Sequence, residues 1–143
     1  MKIKDEVSIL LVDDDDVDII GLKRAFKRRN IYNPVHRAKD GIEALEFLSS
    51  VDKTKSISKP YLIILDINMP RMNGIEFLEQ IRGNSKHKNA IVFVLTTSQY
   101  DEDKIKAYSY NIAGYITKSN FGEKTDKFLD IIESYLEIVD FPC

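Results

Sequence analysis

Four consecutive aspartates, Asp13 to Asp16, follow the apolar run Ser8–Val12, and a single aspartate, Asp66, follows the apolar run Tyr61–Leu65. Carboxylates gathered at the ends of buried strands repel one another and raise one another's pKa unless a cation compensates, and hard divalent ions favour such oxygen ligands. Mg2+ is the economical cation here. Thr96, Thr97 and Ser98 end a fourth apolar run, and Lys118 ends a fifth. A carboxylate nucleophile, a metal, a hydroxyl donor and an ammonium around one crevice suit phosphoryl transfer.

Each of these residues also has a plainer role to be weighed. Asp14 to Asp16 can cap the helix that follows them, where negative charge suits the helix dipole, and for Asp15 and Asp16 that role suffices. Asp13 stands at the strand end with Leu11 and Val12 behind it, so metal coordination explains it better than capping. Asp66, directly after YLIIL, has little structural purpose at the end of a buried strand. Lys118 alone would be an ordinary surface lysine and Thr96 a strand-end hydroxyl. Their interest comes from sharing an edge with Asp66.

The elements that must bring these residues together are legible in the hydrophobic pattern. Five strand-sized apolar runs recur at Ser8–Val12, Val35–Ala38, Tyr61–Leu65, Ala90–Leu95 and Gly114–Thr117. Several lack polar alternation, as strands covered on both faces do. The covers are helices. One is expected over about 15–29 with the stripe Ile19, Leu22, Phe26, and a second runs from a capping-box-like Asp40 and Glu43 to near Ser50. A third is capped by Asn73 and stopped at Gly83, a short polar fourth covers about 101–110, and an apolar fifth covers about 125–139. The stretch VDKTKSISKP reads as a long solvated loop. Five β-α units with right-handed crossovers make a doubly wound parallel sheet, an α/β fold whose working site lies at the carboxyl ends of the strands.

The composition agrees and excludes other classes. A chain of 143 residues fits one domain, 1–143, with its core over about 7–139. Lys+Arg 21 against Asp+Glu 23 gives a net charge of −2, which does not suit a protein whose main business is neutralising nucleic-acid phosphates. The single cysteine, Cys143, allows neither an intrachain disulfide nor a cysteine metal site. The apolar run before the aspartates is too short for a signal peptide, so a cytoplasmic location away from membranes is expected.

The motifs LLVDDD, LDINMPRMNG, VLTTS and GYITKS, in that order and spacing, resemble the receiver domain of two-component response regulators. The match spans about residues 7–139. The long loop before the third strand and the wording VLTTS, YITK look like the single-domain, phytochrome-associated subgroup. The resemblance implies a flavodoxin-like (βα)5 fold of strand order 2-1-3-4-5. It makes Asp66 the phosphoacceptor, and it has Asp13, Asp14, Asp66 and the backbone carbonyl of Asn68 hold Mg2+. Thr96 and Lys118 would contact the phosphoryl oxygens, Thr96 and Tyr115 would form the switch, and Asn68 and Ser98 would flank the attacking water in dephosphorylation.

The donor would be a histidine kinase, of phytochrome type by the narrower match, or a phosphotransfer protein. A face made by helix four, strand five and helix five would carry output, with a homodimer through the same patch. Two positions depart from the family. Ser119 replaces the proline usual after the lysine, so a trans Lys118–Ser119 bond is expected, a non-proline cis bond costing about 2.5 to 4 kcal/mol. Thr97 replaces a smaller residue and is expected to narrow access to the pocket. A haloacid-dehalogenase-like phosphatase would need a second aspartate two residues after Asp66, where Asn68 has no proton to shuttle. A non-phosphorylated interaction module would have no need of Asp66, Thr96 and Lys118 together.

Overall fold

An unbroken apolar strand points side chains to both faces of its sheet and so must be covered twice. The computed structural model describes residues 7–118 and 121–142, the residues 121–123 by their backbone alone, and shows that double cover. In chain order the elements are β1 Ser8–Val12, α1 Asp16–Arg28, β2 Val35–Ala38, α2 Gly41–Ser49, β3 Tyr61–Leu65, α3 Gly74–Arg82, β4 Ile91–Thr96, α4 Asp101–Ser109, β5 Gly114–Thr117 and α5 Phe121–Ile138. The five strands form one parallel sheet ordered β2-β1-β3-β4-β5, the expected α/β topology. Alternate strand residues sort to opposite sides. Leu10, Val12, Ile63, Leu65, Val92 and Val94 pack with Phe47, Phe77 and Ile81 of α2 and α3. Ile9, Leu11, Leu62, Ile64, Phe93 and Leu95 pack with Phe26, Leu129 and Ile132 of α1 and α5. No helix among the described residues is long and apolar enough to cross a membrane.

The local signals act largely as read. Asp15 caps α1 by accepting the N–H groups of Val17 and Asp18 at 2.9 and 3.1 Å. Asn73 and Glu76 form a full capping box on α3. On α2, Asp40 accepts from Glu43 N–H at 2.9 Å, but the Glu43 carboxylate reaches back one residue further, to the N–H of Lys39 at 2.9 Å.

Three expectations are corrected. β4 runs one residue later than read, so Thr96 is the last residue of the strand. α5 starts at Phe121 rather than near Thr125, because the apolar spacing that marks the helix in the sequence, Phe128, Leu129, Ile132 and Leu136, leaves its first turn without a periodic signal. The loop 51–60 is not wholly solvated: Ile57 is 5% exposed and its N–H donates to the Phe47 carbonyl at 3.2 Å, which pins the loop against α2.

Arg82 at the end of α3 also ties two loops together, a role its sequence position did not reveal. Its guanidinium donates to the carbonyls of Tyr110 at 2.6 Å, Lys88 at 2.9 Å, Ala90 at 2.8 Å and Asn111 at 3.2 Å. Only a planar fork of donors serves four acceptors at once. Arg82→Ala is expected to lower stability by about 1–3 kcal/mol by stranding partly buried carbonyls, with Arg82→Lys recovering little of it. Urea midpoints of the three proteins check this.

Candidate functional site

The backbone ladder carries the site one residue beyond the strands. β1 and β3 pair with Val12 opposite Leu65, and past that pair the Asp66 N–H donates to the Val12 carbonyl at 2.8 Å and the Asp13 N–H to the Ala38 carbonyl at 3.0 Å. Asp13 and Asp66 are thereby set side by side at the carboxyl edge of neighbouring central strands. The Lys118 N–H likewise donates to the Thr96 carbonyl at 2.7 Å, extending the β4–β5 pairing to the same edge.

Asp13 and Asp66 are 5% and 6% exposed, whereas Asp14 faces solvent. One carboxylate oxygen from each of the three lies within 4.8 Å of the others. Burial pushes the Asp13 carboxyl above the usual range, opposed by the hydrogen bond from Lys118 and by the Asp15 N–H at 2.9 Å. Burial likewise raises Asp66, opposed by a hydrogen bond from Thr96 and by the Lys118 charge. Two buried carboxylates whose charged forms are penalised, joined by a third open to solvent, are an all-oxygen donor set that fits a hard divalent cation.

Lys118 is the cation already in place. Its Nζ lies 2.6 Å from Asp13 Oδ2, 2.7 Å from Asp18 Oδ2 and 3.9 Å from Asp66 Oδ2, and its side chain is 9% exposed. Burial works to lower its pKa, yet the hydrogen bonds it donates to Asp13 and Asp18 prevail and hold it above the usual lysine range, so the ammonium stays charged. Thr96 is fully buried and its Oγ1 accepts the Ser98 N–H at 3.2 Å. The Tyr115 hydroxyl donates to the Ser98 carbonyl at 2.9 Å, and the Ser98 hydroxyl donates to Asp103 of α4 at 2.5 Å. Thr96 and Tyr115, expected to act in concert, therefore meet at one residue.

The remaining expectations are placed as follows. Asn68 is exposed, with its N–H 3.4 Å from Asp66 Oδ1. Thr97 is exposed. The bond from Lys118 to Ser119 lies outside the described residues. Asp18 and Arg37 are additions that sequence reasoning missed. Arg37 of β2 donates through Nε to the Asp13 carbonyl at 2.9 Å and pairs through Nη1 with Asp16 at 2.7 Å, steadying the loop that presents the acidic residues. Nothing but three-dimensional proximity marks it. Asp18 resembled any acid in a first helical turn; the Asp15 cap, which fixes that turn, was the available clue.

Comparison with known proteins gives this geometry a family. The model of the response regulator receiver domain matches residues 9–131. Response regulator Rcp1 of Synechocystis sp. is 35% identical over 136 residues, covering 94% of this chain and 92% of its own. The crystal structure of the Mn2+-bound form of Rcp1 has a TM-score of 0.84 at 34% identity, covering 96% of this chain and 99% of that one. The phosphorylated cyanobacterial phytochrome response regulator RcpA also has a TM-score of 0.84, at 30% identity over 96% and 99% of the two chains. With its fold and sequence matched across nearly its whole length, the chain belongs to the response regulator receiver domain family of two-component signalling.

Proposed function

We propose that Asp66 accepts a phosphoryl group from the phosphohistidine of a partner histidine kinase, of phytochrome type, or of a phosphotransfer protein, and that the acyl phosphate switches the face formed by α4, β5 and α5. The observation that carries this is the buried Asp66 carboxylate with a charged Lys118 3.9 Å away and a buried Thr96 hydroxyl beside it. The divalent metal bound by Rcp1 and the phosphorylated state of RcpA support it by relationship.

In the transfer, an Asp66 oxygen bonds to phosphorus while the phosphorus–nitrogen bond of the donor breaks, its electron pair remaining on the imidazole. Lys118 and Thr96 offer an ammonium and a hydroxyl to the phosphoryl oxygens. Asp13, Asp14, Asp66 and the Asn68 carbonyl would hold Mg2+, which supplies charge neutralisation on those oxygens. Water reverses the modification, attacking between Asn68 and Ser98.

Output follows from what the phosphoryl group contacts. If the Thr96 hydroxyl turns toward it, the Ser98 N–H loses its acceptor, and the Tyr115 hydroxyl bond to the Ser98 carbonyl feels the shift. Ser98 also holds Asp103 of α4, so α4 and β5 respond together. Ile105 and Tyr108 of α4 and Ile131 of α5 are exposed apolar residues on the helices of this face, suited to a partner or a second copy.

A small acyl-phosphate donor with Mg2+ is expected to add one phosphoryl group, read by intact mass, and chelation of the metal to prevent it. Asp13→Asn combined with Asp14→Asn should weaken Mg2+ binding by about 100-fold or more and abolish the chelator-sensitive labelling. Labelling untouched by chelation, or a phosphate adduct stable to alkali, would overturn the assignment in favour of a serine or threonine acceptor.

A further inference from the structure

Lys118 can donate three hydrogen bonds, and two of them are committed: one to Asp13 at 2.6 Å and one to Asp18 at 2.7 Å. Asp66, at 3.9 Å, lies beyond hydrogen-bond range of the same nitrogen. The ammonium therefore rests closer to Asp13 and Asp18 than to the acceptor. Asp18 lies outside the carboxylate cluster of Asp13, Asp14 and Asp66 that could hold a metal, and the phosphoryl chemistry does not require it. It is nevertheless well fixed. Its backbone N–H is bound by the Asp15 cap at 3.1 Å, and the next residue, Ile19, is 3% exposed in the core beneath α1.

We infer that Asp18 is a positioning residue that competes with the phosphoryl group for the Lys118 ammonium, and so sets how tightly the phosphorylated state is held. The inference rests on the reading of Asp66 as phosphoacceptor. Its physical content is twofold. A charged carboxylate at 2.7 Å is a strong acceptor that must yield, or share the ammonium, when phosphoryl oxygens arrive. Asp18 also adds one more negative charge to the surroundings of an incoming anion, at a position partly open to solvent, with its side chain 37% exposed. Asp13 keeps Lys118 at the crevice without Asp18, so losing the second tether frees the ammonium rather than displacing it.

The test uses the full chain as wild type, Asp18→Asn and Asp18→Glu. Asn keeps the size and an acceptor but removes the charge, and Glu keeps the charge. Without any phosphoryl donor, acylation of Lys118 by an amine-reactive ester, followed by peptide mass spectrometry, should be about fivefold faster in Asp18→Asn and close to wild type in Asp18→Glu. With Mg2+ present, trifluoroberyllate, a tetrahedral phosphoryl mimic that bonds to carboxylates, should bind Asp18→Asn about fivefold more tightly than wild type. A merely structural role for Asp18 would weaken that binding through loss of fold and would not be relieved by Glu. Lys118 acylation equal in wild type and Asp18→Asn overturns the tether. Faster acylation with unchanged trifluoroberyllate affinity overturns the competition. A wild type that binds no trifluoroberyllate overturns the reading of Asp66 and this inference with it, whereas normal wild-type binding left unchanged in Asp18→Asn overturns the inference alone.

Discussion

Asp66→Asn is expected to abolish phosphorylation and, in metal-free buffer at neutral pH, to make the protein more stable. The first effect is chemical: a carboxamide is no nucleophile toward phosphorus, and no other carboxylate at the edge combines the burial of Asp66 with its neighbours Thr96 and Lys118. The second follows from burial, which raises the Asp66 carboxyl, so the folded chain holds that proton more tightly than the unfolded chain does. Stability therefore falls as pH rises through the ordinary carboxylate range toward the raised folded value, and the cost is present in full above it. The neutral amide escapes that cost, less the partial compensation that Lys118 provides. The advantage should vanish below about pH 4, where the carboxyl is protonated in both states. Urea unfolding of both proteins at the two pH values, with chelator, measures the difference, and intact mass after exposure to the donor measures the labelling. A variant that is no more stable at neutral pH would mean that Lys118 already offsets the Asp66 charge completely.

The same tension between function and stability explains what could be read from the sequence. Strands β1 and β3 are apolar but for the Ser8 that opens β1, and the helices have their stripes, so the fold followed from periodicity, and four of the five strands coincide with the expected spans. Asp13, Asp66, Thr96 and Lys118 stood out because each interrupts or ends an apolar run where a hydrophobic residue would cost less. Asp18, Arg37 and Arg82 gave no such sign, being polar residues at positions where polar residues are ordinary. Their roles depend on what lies across space: Lys118 is a hundred residues from Asp18, and Arg82 reaches carbonyls on two separate loops. The start of α5 was missed for a related reason, since the apolar spacing that marks the helix in the sequence runs only from Phe128 onward. Sequence pattern registers burial along one element, whereas ion pairs and loop anchors belong to pairs of elements.

Gly74→Ala is expected to be the most damaging small substitution near the site, because the glycine opening α3 lies directly against the backbone of Asp66, the proposed phosphoacceptor. A Cβ there would stand 2.3 Å from the Asp66 carbonyl oxygen and 2.9 Å from the Ile67 Cα, both backbone atoms that cannot rotate away. The Gly74 N–H also donates to the Ile67 carbonyl at 2.9 Å, so α3 cannot withdraw without breaking the bond that joins it to the end of β3. The methyl should cost about 3 kcal/mol of stability. In the fraction that folds, the displaced Asp66 should take up phosphoryl groups at least about tenfold more slowly, since small misplacements of a nucleophile are expensive. Two other glycines calibrate the result. At Gly41 the added carbon would meet Met72 Cγ at 2.6 Å and Sδ at 2.9 Å, a flexible side chain that can yield, so Gly41→Ala should cost less. At Gly21, on the exposed side of α1, nothing lies within 4 Å, and Gly21→Ala should stabilise the helix by about 0.5–1 kcal/mol. Urea unfolding should thus order the variants Gly21→Ala, wild type, Gly41→Ala, Gly74→Ala from most to least stable, with only the last combining a large loss of stability with slow labelling. If Gly74→Ala were as stable and as readily phosphorylated as Gly41→Ala, the approach of α3 to the Asp66 backbone would not be what fixes the acceptor in place.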